Sequence, residues 1–468
     1  MDAVMLALAA AVAWLPGIAA LVLLRRPGPL AAGEGAWIAG AGYLAGAFVL
    51  TLWMRALSRL HVPFGAAVIA LPLAIVALAG LALAWRRDRF DVPTWPGRLA
   101  RAVLGRDLDK WERVVWLALM GWFAVRFGLL AVEVASRPLY PWDAWTQWAT
   151  KARVWYELRH IAPFARVAEW YAAGGSVYFD ASPEYPPTMP LLQVWTCVML
   201  GRWDDALMNA PWWYTAIAFA LAAYGGLRLL GVGAVTAIVG AFLASSLPLA
   251  NVHVALAGYA DLPLAAYYAV AAIALMRWAR ERGARHALVA VVLAVACTQI
   301  KNPGWFWAAT LLPAALVVVL PRHGVRVALI AFGGVAFLIA AVARMKLSLF
   351  NYRLDLDFDP PWRDLFQSYF LLGNWNLLWF GVVAVAIFAR KDLFSRRLVP
   401  MTMAVIGGIL FLFFVFAFTN ASAFIADQTT VNRATLHLAP LMVCYMTLAF
   451  AALSGRLPSP EPQATMPA

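Results

Sequence analysis

Charged residues are scarce in this chain of 468 residues: 13% are Asp, Glu, Lys or Arg, whereas 64% are apolar. A soluble domain carries roughly 25% charged and about 45–50% apolar residues, so the composition argues against a water-soluble enzyme or a disordered chain. Cysteine is nearly absent, and the three that occur lie in apolar runs without metal-ligand spacing. That scarcity argues against a disulfide-rich secreted module. The composition instead predicts an integral membrane protein with many spans.

Nucleotide-binding and common catalytic motifs are missing as well. There is no Walker loop, no G-x-S-x-G elbow and no dinucleotide fingerprint, so the sequence does not indicate an ATP-driven cycle. Lys and Arg outnumber Asp and Glu by 37 to 24, but they form no nucleic-acid patch, and in a membrane protein this excess indicates cytoplasmic loops. Arg25 and Arg26 follow the first apolar run instead of preceding it, so we expect no cleavable signal peptide.

Long apolar runs are what the sequence has in abundance. A membrane-spanning helix needs about 20 mainly apolar residues. Candidate stretches lie near 3–24, 36–57, 63–84, 114–135, 210–230, 232–250, 260–278, 286–301, 304–320, 325–343, 368–389, 398–419 and 434–454. The sequence therefore predicts an all-α polytopic membrane protein of about 13 transmembrane helices.

Basic residues follow the first, third, seventh, ninth and eleventh of these stretches. Because Lys and Arg favour cytoplasmic loops, the alternation predicts an external N-terminus and a cytoplasmic C-terminus. Four polar segments then share the extracytoplasmic face: 136–209, 251–260, 344–367 and 420–433. Polar chemistry concentrated on that face favours a membrane-surface enzyme over a transporter, whose substrate path lies near the midplane.

The segment 136–209 contains two predicted helices that do not cross the membrane. In 143–160, Trp145, Trp148, Ala152 and Trp155 recur at helical spacing, which predicts an amphipathic helix in the membrane interface. The second helix, 187–201, is bounded by prolines, and a crossing there would move the downstream basic loops to the other side. We therefore expect an interfacial or re-entrant helix.

Two external carboxylates are the first candidates for chemistry. Asp143 stands in a Tyr-Pro-Trp-Asp-Ala-Trp run, and Asp261 opens the seventh span in a Gly-Tyr-Ala-Asp-Leu-Pro run. Each is placed either to cap a helix or to serve in acid–base chemistry. Between them, a Ser-Pro-Glu-Tyr-Pro-Pro run predicts a bend, and its Glu184 and Tyr185 are candidates for lining a site.

Cations on the same face are candidates for binding a phosphate-linked lipid. Lys301 follows the eighth span, Arg433 begins the thirteenth, and Arg353 lies in the loop after the tenth. A lone cation at the interface often only extends toward water, whereas a phosphate group at headgroup level needs such cations. Within the fourth span, Arg126 and Glu133 share one helix face, and we expect a structural ion pair.

The order of these motifs resembles the GT-C superfamily of polytopic glycosyltransferases. It looks most like the bacterial branch related to protein O-mannosyltransferases and the lipid A aminoarabinose transferase. The resemblance covers roughly 112–345, after three additional N-terminal spans, and its lysine element is Lys-Asn-Pro-Gly in place of the commoner Lys-Gly-Pro. The residues that carry the resemblance, in chain order, are Trp142, Asp143, Trp145, Tyr185, Pro186, Pro187, Tyr259, Asp261, Pro263, Lys301 and Pro303.

The resemblance implies a GT-C fold, a polyprenyl-phosphate- or polyprenyl-diphosphate-linked sugar donor, and an inverting displacement at the anomeric carbon. It implies that Asp143 is the base or orienting group for the acceptor and that Asp261 assists the acceptor or a cation. Lys301, Arg433 and, as a weaker candidate, Arg353 would hold the lipid phosphate. The candidate substrate-lining residues are Trp142, Trp145, Lys151, Glu184, Tyr185 and Tyr259.

This interpretation divides the chain into four parts. Residues 1–111 hold three spans and a basic loop, 112–345 the catalytic module, 346–456 the C-terminal spans and external loops, and 457–468 a flexible tail. We expect the site on the periplasmic face of a bacterial inner membrane, with a lipid, polysaccharide or protein of the cell envelope, such as lipopolysaccharide, as acceptor.

Cofactors and rival functions stay open at this stage. No histidine pair has metal-ligand spacing, so no zinc site is predicted, although the sequence allows a divalent cation held by carboxylates. The alternatives to a glycosyltransferase are a transporter or flippase of lipid-linked saccharides, a non-catalytic scaffold, and an O-antigen ligase or polymerase.

Overall fold

The computed structural model describes residues 1–90, 95–344, 348–349, 352–353 and 361–457. The regular structure in these ranges is helical, apart from a hairpin of two-residue antiparallel strands, β1 (Ser348–Leu349) and β2 (Tyr352–Arg353). Of the predicted tail 457–468, all but Leu457 lies outside the described residues.

The helices of the first half are α1 (Asp2–Leu24), α2 (Glu34–Arg59), α3 (Ala66–Arg86), α4 (Trp95–Val103), α5 (Lys110–Ser136), α6 (Ala149–Leu158), α7 (Val167–Ala172), α8 (Thr188–Leu200), α9 (Ala210–Leu229), α10 (Ala234–Ser245), α11 (Pro248–Ala255) and α12 (Asp261–Glu281). Those of the second half are α13 (Ala284–Thr298), α14 (Gly304–Thr310), α15 (Leu312–Val319), α16 (Gly324–Arg344), α17 (Trp362–Phe366), α18 (Leu378–Phe388), α19 (Arg390–Leu393), α20 (Val399–Phe418), α21 (Ala423–Ala426), α22 (Thr430–Leu436) and α23 (Ala439–Leu453). Short π-helical turns occupy Ala144–Trp148 and Gln367–Leu371, and 3₁₀ turns occupy Leu207–Asn209 and Asn420–Ser422.

By length and composition, 6 helices in the described ranges can cross a membrane: α1, α2, α3, α5, α12 and α20. The pairs α10–α11 and α22–α23 qualify only as bent units, with angles of 62° and 46°, which raises the number to as many as 8. The helical character is therefore confirmed, and the apolar helices are consistent with a membrane protein. The number of about 13 spans stays a prediction, because α13, α14–α15 and α18 are shorter than a full span.

Small residues let the first helices pack closely against each other and against later ones. A Cβ added at Gly46 of α2 would stand 2.0 Å from the carbonyl oxygen of Ala13, and one at Gly40 would stand 2.3 Å from that of Ala218 in α9. Such close approach of backbones is how membrane helices gain van der Waals contact. Residues 1–59 therefore share one apolar core with the module that follows.

The two predicted non-crossing helices are present, but they differ from each other in burial. In α6 and the π turn before it, Trp148, Ala152 and Trp155 are buried while Arg153 and Glu157 are exposed, as an amphipathic helix requires. Trp145, the first residue of the predicted apolar stripe, is exposed. The second helix, α8, is buried along nearly its whole length and packs against α1, α2 and α6. The helix α8 is thus surrounded mainly by protein. A helix in the membrane interface would instead present one face to lipid.

The helix α12 separates two polar ends of the molecule. Asp261 is its first residue and Glu281 its last, so about 30 Å of helix lies between them, which matches the hydrocarbon thickness of a bilayer. At the Glu281 end, Arg25 pairs with Glu34 at 3.3 Å and Arg285 pairs with Glu281 at 3.0 Å. The loops after α1 and α12 therefore meet at one end, and the candidate site lies at the other.

Candidate functional site

Asp143 lies at the turn where the chain leaves α5 and starts the π-helical segment Ala144–Trp148. The backbone N–H of Ala144 donates to the carbonyl of Pro141 at 2.9 Å, which begins the helical turn. The Asp143 side chain makes no capping hydrogen bond, so the capping alternative is not observed. Its carboxylate instead accepts a hydrogen bond from Nη2 of Arg433, which lies 290 residues later in the chain.

Asp261 is the centre of the cluster. Its side chain is completely buried at the start of α12 and does not cap the helix. The carboxylate accepts hydrogen bonds from Lys301 Nζ at 2.6 Å and from Arg433 Nε and Nη2 at 3.0 and 2.9 Å. A buried carboxylate is stable only when charges and donors of this kind surround it, so Asp261 fixes the two cations in place.

Arg433 joins the two carboxylates. Its guanidinium contacts Asp143 on one side and Asp261 on the other, and it lies 4.6 Å from the ring centroid of Tyr259. The planar group can bridge two carboxylates and stack on an aromatic ring at once, which a lysine cannot do. The sequence-predicted residues Asp143, Asp261, Lys301 and Arg433 therefore form one connected group, which we call the ion cluster.

The sequence analysis missed two residues of this region, His437 and Trp307. The indole N–H of Trp307 donates to His437 Nδ1 at 2.9 Å, and His437 Nε2 lies 2.8 Å from Asp261 Oδ1. Because Nδ1 accepts, the proton of the neutral ring is on Nε2 and points to Asp261. The spacing of four residues between Arg433 and His437 places both on one helix face, and this signal could have identified the histidine.

Among the described residues of the ion cluster, exposure is greatest at Asp143 and Arg433. The side chains of Asp261 and Lys301 are 0% and 9% exposed, whereas those of Asp143 and Arg433 are 12% and 26% exposed. With His437 neutral, two positive and two negative charges balance. Arg433 is therefore more accessible than Lys301, which the resemblance makes the firmer candidate for the lipid phosphate.

Backbone packing holds the segments of the cluster together. Gly258 has φ +134, and a Cβ added there would stand 2.4 Å from the Cβ of Ala144, next to Asp143. Gly304, which follows the Lys301 turn, is as tightly placed, because a Cβ there would stand 1.9 Å from the carbonyl oxygen of Cys297. Only glycine fits at these two approaches.

The helix α22, which carries Arg433, is held by hydrogen bonds to the segment around the second π turn. Asn432 Oδ1 accepts from Ser368 Oγ at 2.8 Å and from Trp375 Nε1 at 3.2 Å. The hydroxyls of Tyr369 and Thr435 lie 2.9 Å apart. Residues 368–375 therefore fix the direction of α22 and the depth of Arg433.

A second group of polar side chains, separate from the ion cluster, lies in the segment 136–209. Lys151 Nζ lies 3.2 Å from Asp180 Oδ1 and donates to the carbonyl of Ser182 at 2.6 Å, with both charged side chains buried. Burial lowers the pKa of Lys151 and raises that of Asp180, because an apolar environment disfavours both charged forms. In this arrangement Lys151 holds the loop 178–185 against α6, and it is not presented to a ligand.

The remaining predicted lining residues lie around these two groups. Tyr185 stacks on Trp148 with ring centroids 5.2 Å apart, and Glu184 is exposed at 3.7 Å from Arg166. Trp142 and Trp145, on either side of Asp143, are exposed and meet edge to face. Of these residues only the tryptophans adjoin the ion cluster in sequence.

Two further sequence-based expectations have different outcomes. Arg353 belongs to β2, and its side chain lies outside the described residues. The expected pair between Arg126 and Glu133 is wrong. Arg126 donates to Asn251 Oδ1 at 2.7 Å, and Glu133 pairs with Arg137. A separation of seven residues spans two helical turns, roughly 10 Å, whereas four residues bring side chains together.

Within the described parts of the chain, no group of three or more His, Cys, Asp or Glu side chains lies close enough to hold a metal ion. Comparisons with protein-family models, with curated proteins and with solved structures find no match to this chain. The chemistry of the site therefore depends on the ion cluster itself.

Proposed function

We propose that this chain is an integral membrane glycosyltransferase of GT-C type. It would move a sugar from a polyprenyl-phosphate or polyprenyl-diphosphate donor to a cell-envelope acceptor on the extracytoplasmic face. One observation carries the proposal: two acids and two cations from four distant segments meet in one cluster, at the end of α12 away from the basic loops.

The edge formed by Asp143 and Arg433 suits a phosphate leaving group and an acceptor hydroxyl together. An arginine exchanges a carboxylate for a phosphate readily, because both accept two parallel hydrogen bonds. When the donor phosphate takes the outer face of Arg433, Asp143 becomes free to accept a proton. Asp261 keeps the inner face of the guanidinium fixed, so the cation is already positioned when charge develops on the leaving group.

The ion cluster then supplies the groups that the proposed transfer needs. The acceptor hydroxyl oxygen forms a bond to the anomeric carbon, and its proton goes to Asp143. The bond between the anomeric carbon and the phosphate oxygen breaks, and the lipid phosphate leaves with the electron pair beside Arg433. Lys301, deeper in the cluster, adds positive charge behind Asp261. A divalent cation is not required by this scheme.

Location supports the same interpretation. A lipid-linked sugar keeps its hydrocarbon tail in the bilayer and its phosphate at the surface, so only a site at the membrane boundary can hold both. The ion cluster lies at one end of a helix that is long enough to span the bilayer. The proposed setting is the periplasmic face of a bacterial inner membrane, with the sugar and the acceptor, lipid, polysaccharide or protein, still to be identified.

The test compares a strain that lacks the chain with the same strain complemented by the wild-type chain. Mass spectrometry would profile lipid-linked sugars and cell-envelope glycans of both. We expect one envelope component to lose a sugar in the deletion strain while the corresponding lipid carrier accumulates. Identical profiles would contradict the proposal, and accumulation of the donor on the cytoplasmic side alone would favour a flippase.

A further inference from the structure

A second site lies at the opposite end of α12 from the ion cluster. A surface cavity there is bordered by the end of α1, the start of α2, the last turns of α12 and the first half of α13. Its lining combines apolar and cationic side chains, among them Leu21, Ile38, Val289, Arg25, Arg277 and Arg285. Neither the ion cluster nor the proposed transfer reaction uses these residues.

Carboxylates pair with two of these arginines, Glu34 with Arg25 and Glu281 with Arg285, but one donor of the third has no acceptor in the described part of the chain. Arg277 is 6% exposed, and its Nη2 donates to Glu281 at 3.0 Å. Its Nε has no hydrogen-bond partner among the described residues. A buried guanidinium N–H without an acceptor costs free energy, and the side chain that carries it is part of the cavity lining.

The position of the cavity indicates where such an anion comes from. It lies at the end that carries the arginine-rich loops, which the sequence predicts to be cytoplasmic. Leu288, Val291 and Val295 form an exposed apolar stripe on α13 that begins beside Arg285. A cationic cavity above an exposed apolar helix face fits a molecule with a phosphate head and hydrocarbon chains.

We propose that this cavity binds the phosphate headgroup of an anionic membrane lipid from the leaflet on the basic side of the protein. Arg277 and Arg285 would hold the phosphate, Arg25 would close the cavity from the α1 side, and the acyl chains would lie along α13. The bound lipid would stabilise the junction of α1, α2, α12 and α13. This inference does not depend on the transferase activity.

The test measures thermal unfolding of the full chain in neutral detergent with added dioleoylphosphatidylglycerol, dioleoylphosphatidylcholine or inorganic phosphate. Phosphatidylglycerol should raise the Tm, whereas phosphatidylcholine should not, and the rise should shrink with added salt. In Arg285→Gln the apparent affinity for phosphatidylglycerol should fall by about fivefold.

Arg153→Gln is the matched control, because Arg153 also pairs with a glutamate four residues away, but on the external helix α6. It should keep the full response. Equal effects of the two lipids, or an undiminished response in Arg285→Gln, would overturn the proposal. If inorganic phosphate alone raised the Tm as much as phosphatidylglycerol, the cavity would bind a free anion and the lipid assignment would be wrong. The salt dependence in the wild-type chain decides the case even if Arg285→Gln does not fold.

Discussion

At the scale of single residues, the account depends on the geometry of Arg433. Its guanidinium donates to Asp143, donates through Nε and Nη2 to one oxygen of Asp261, and lies over the Tyr259 ring. A lysine would keep the charge but would supply one compact donor group without a plane. The role of this residue is therefore testable without removing its charge.

In Arg433→Lys we expect sugar transfer to fall by about tenfold or more, because a lost charge-assisted hydrogen bond contributes roughly 1.5–3 kcal/mol. The readout is the amount of sugar transferred to the envelope acceptor, by mass spectrometry. Arg153→Lys, an exposed arginine of α6, is the control and should leave transfer unchanged. Full transfer by Arg433→Lys would mean that charge alone suffices there.

Asp261 carries a different prediction, which concerns stability. Asp261→Asn keeps the shape of the side chain but leaves Lys301 and Arg433 without their buried counter-charge. Such a loss costs about 3–5 kcal/mol, so the Tm of the detergent-solubilised chain should drop clearly. Glu157→Gln, in an exposed ion pair, should change stability by under about 1 kcal/mol. A wild-type Tm for Asp261→Asn would show that the carboxylate is not the centre of the cluster.

In a chain as apolar as this one, a charged residue is easy to identify in the sequence as a candidate for a site. Asp143, Asp261, Lys301 and Arg433 were all candidates in the sequence, because they lie in the polar segments of one predicted face and in motifs that resemble GT-C enzymes. Their partners could not be predicted, because the contacts join residues up to 290 positions apart. The contact of Asp180 with Lys151 likewise forms only on folding, whereas His437 could have been identified from its spacing of four residues after Arg433.

At the scale of structural elements, two close approaches decide whether the cluster forms. The loop before α12 meets the turn before α6 at Gly258 and Ala144, and this contact keeps Asp143 within reach of Arg433. A side chain at position 258 would meet both a steric clash and a backbone conformation that only glycine adopts easily.

We therefore expect Gly258→Ala to reduce transfer severely and to lower stability by about 1–3 kcal/mol from backbone strain alone, with the clash in addition. Tm and transfer are measured side by side. Gly201→Ala is the matched control, since Gly201 also has a positive φ of 71° but has nothing within 4 Å of an added Cβ. This variant should lose stability through backbone strain but keep normal transfer. The pair Gly258→Ala with Ala144→Gly should recover part of the activity. Normal transfer by Gly258→Ala alone would contradict this role of the contact.

Local sequence explains some element boundaries and not others. The helix α8 lies within one residue of its predicted ends, because Pro187 precedes it and Gly201 adopts the left-handed conformation after it. The predicted span 232–250 is instead a bent pair, α10 and α11, and an apolar run does not reveal a bend of 62°. The burial of α8 could not be predicted either, because part of its surroundings comes from α1 and α2, more than a hundred residues earlier.

The molecule as a whole has two chemically distinct ends. The ion cluster and the external segment lie at one end of α12, and the arginine-rich loops lie at the other. The positive-inside rule places the second end in the cytoplasm. The sequence predicts which end faces the cytoplasm, whereas the approach of the four charged segments to one another follows only from the fold.

Single cysteines can test this sidedness directly, because Cys197, Cys297 and Cys444 are all buried. In intact cells with a permeable outer membrane, a membrane-impermeant maleimide should label Tyr171→Cys in the external segment. Lys391→Cys, in α19, should be labelled only after the inner membrane is opened. The reverse pattern would invert the topology and place the ion cluster on the cytoplasmic face.

The most direct test of the central claim uses Asp143→Asn, which keeps the size of the side chain and its place beside Arg433 but removes its ability to accept a proton. It is expressed in the deletion strain and compared with Glu157→Gln, an exposed carboxylate change on the neighbouring helix. We predict that Glu157→Gln restores the envelope glycan profile, whereas Asp143→Asn, present and folded, leaves the sugar missing and its lipid carrier accumulated. Restoration of the profile by Asp143→Asn would contradict the account.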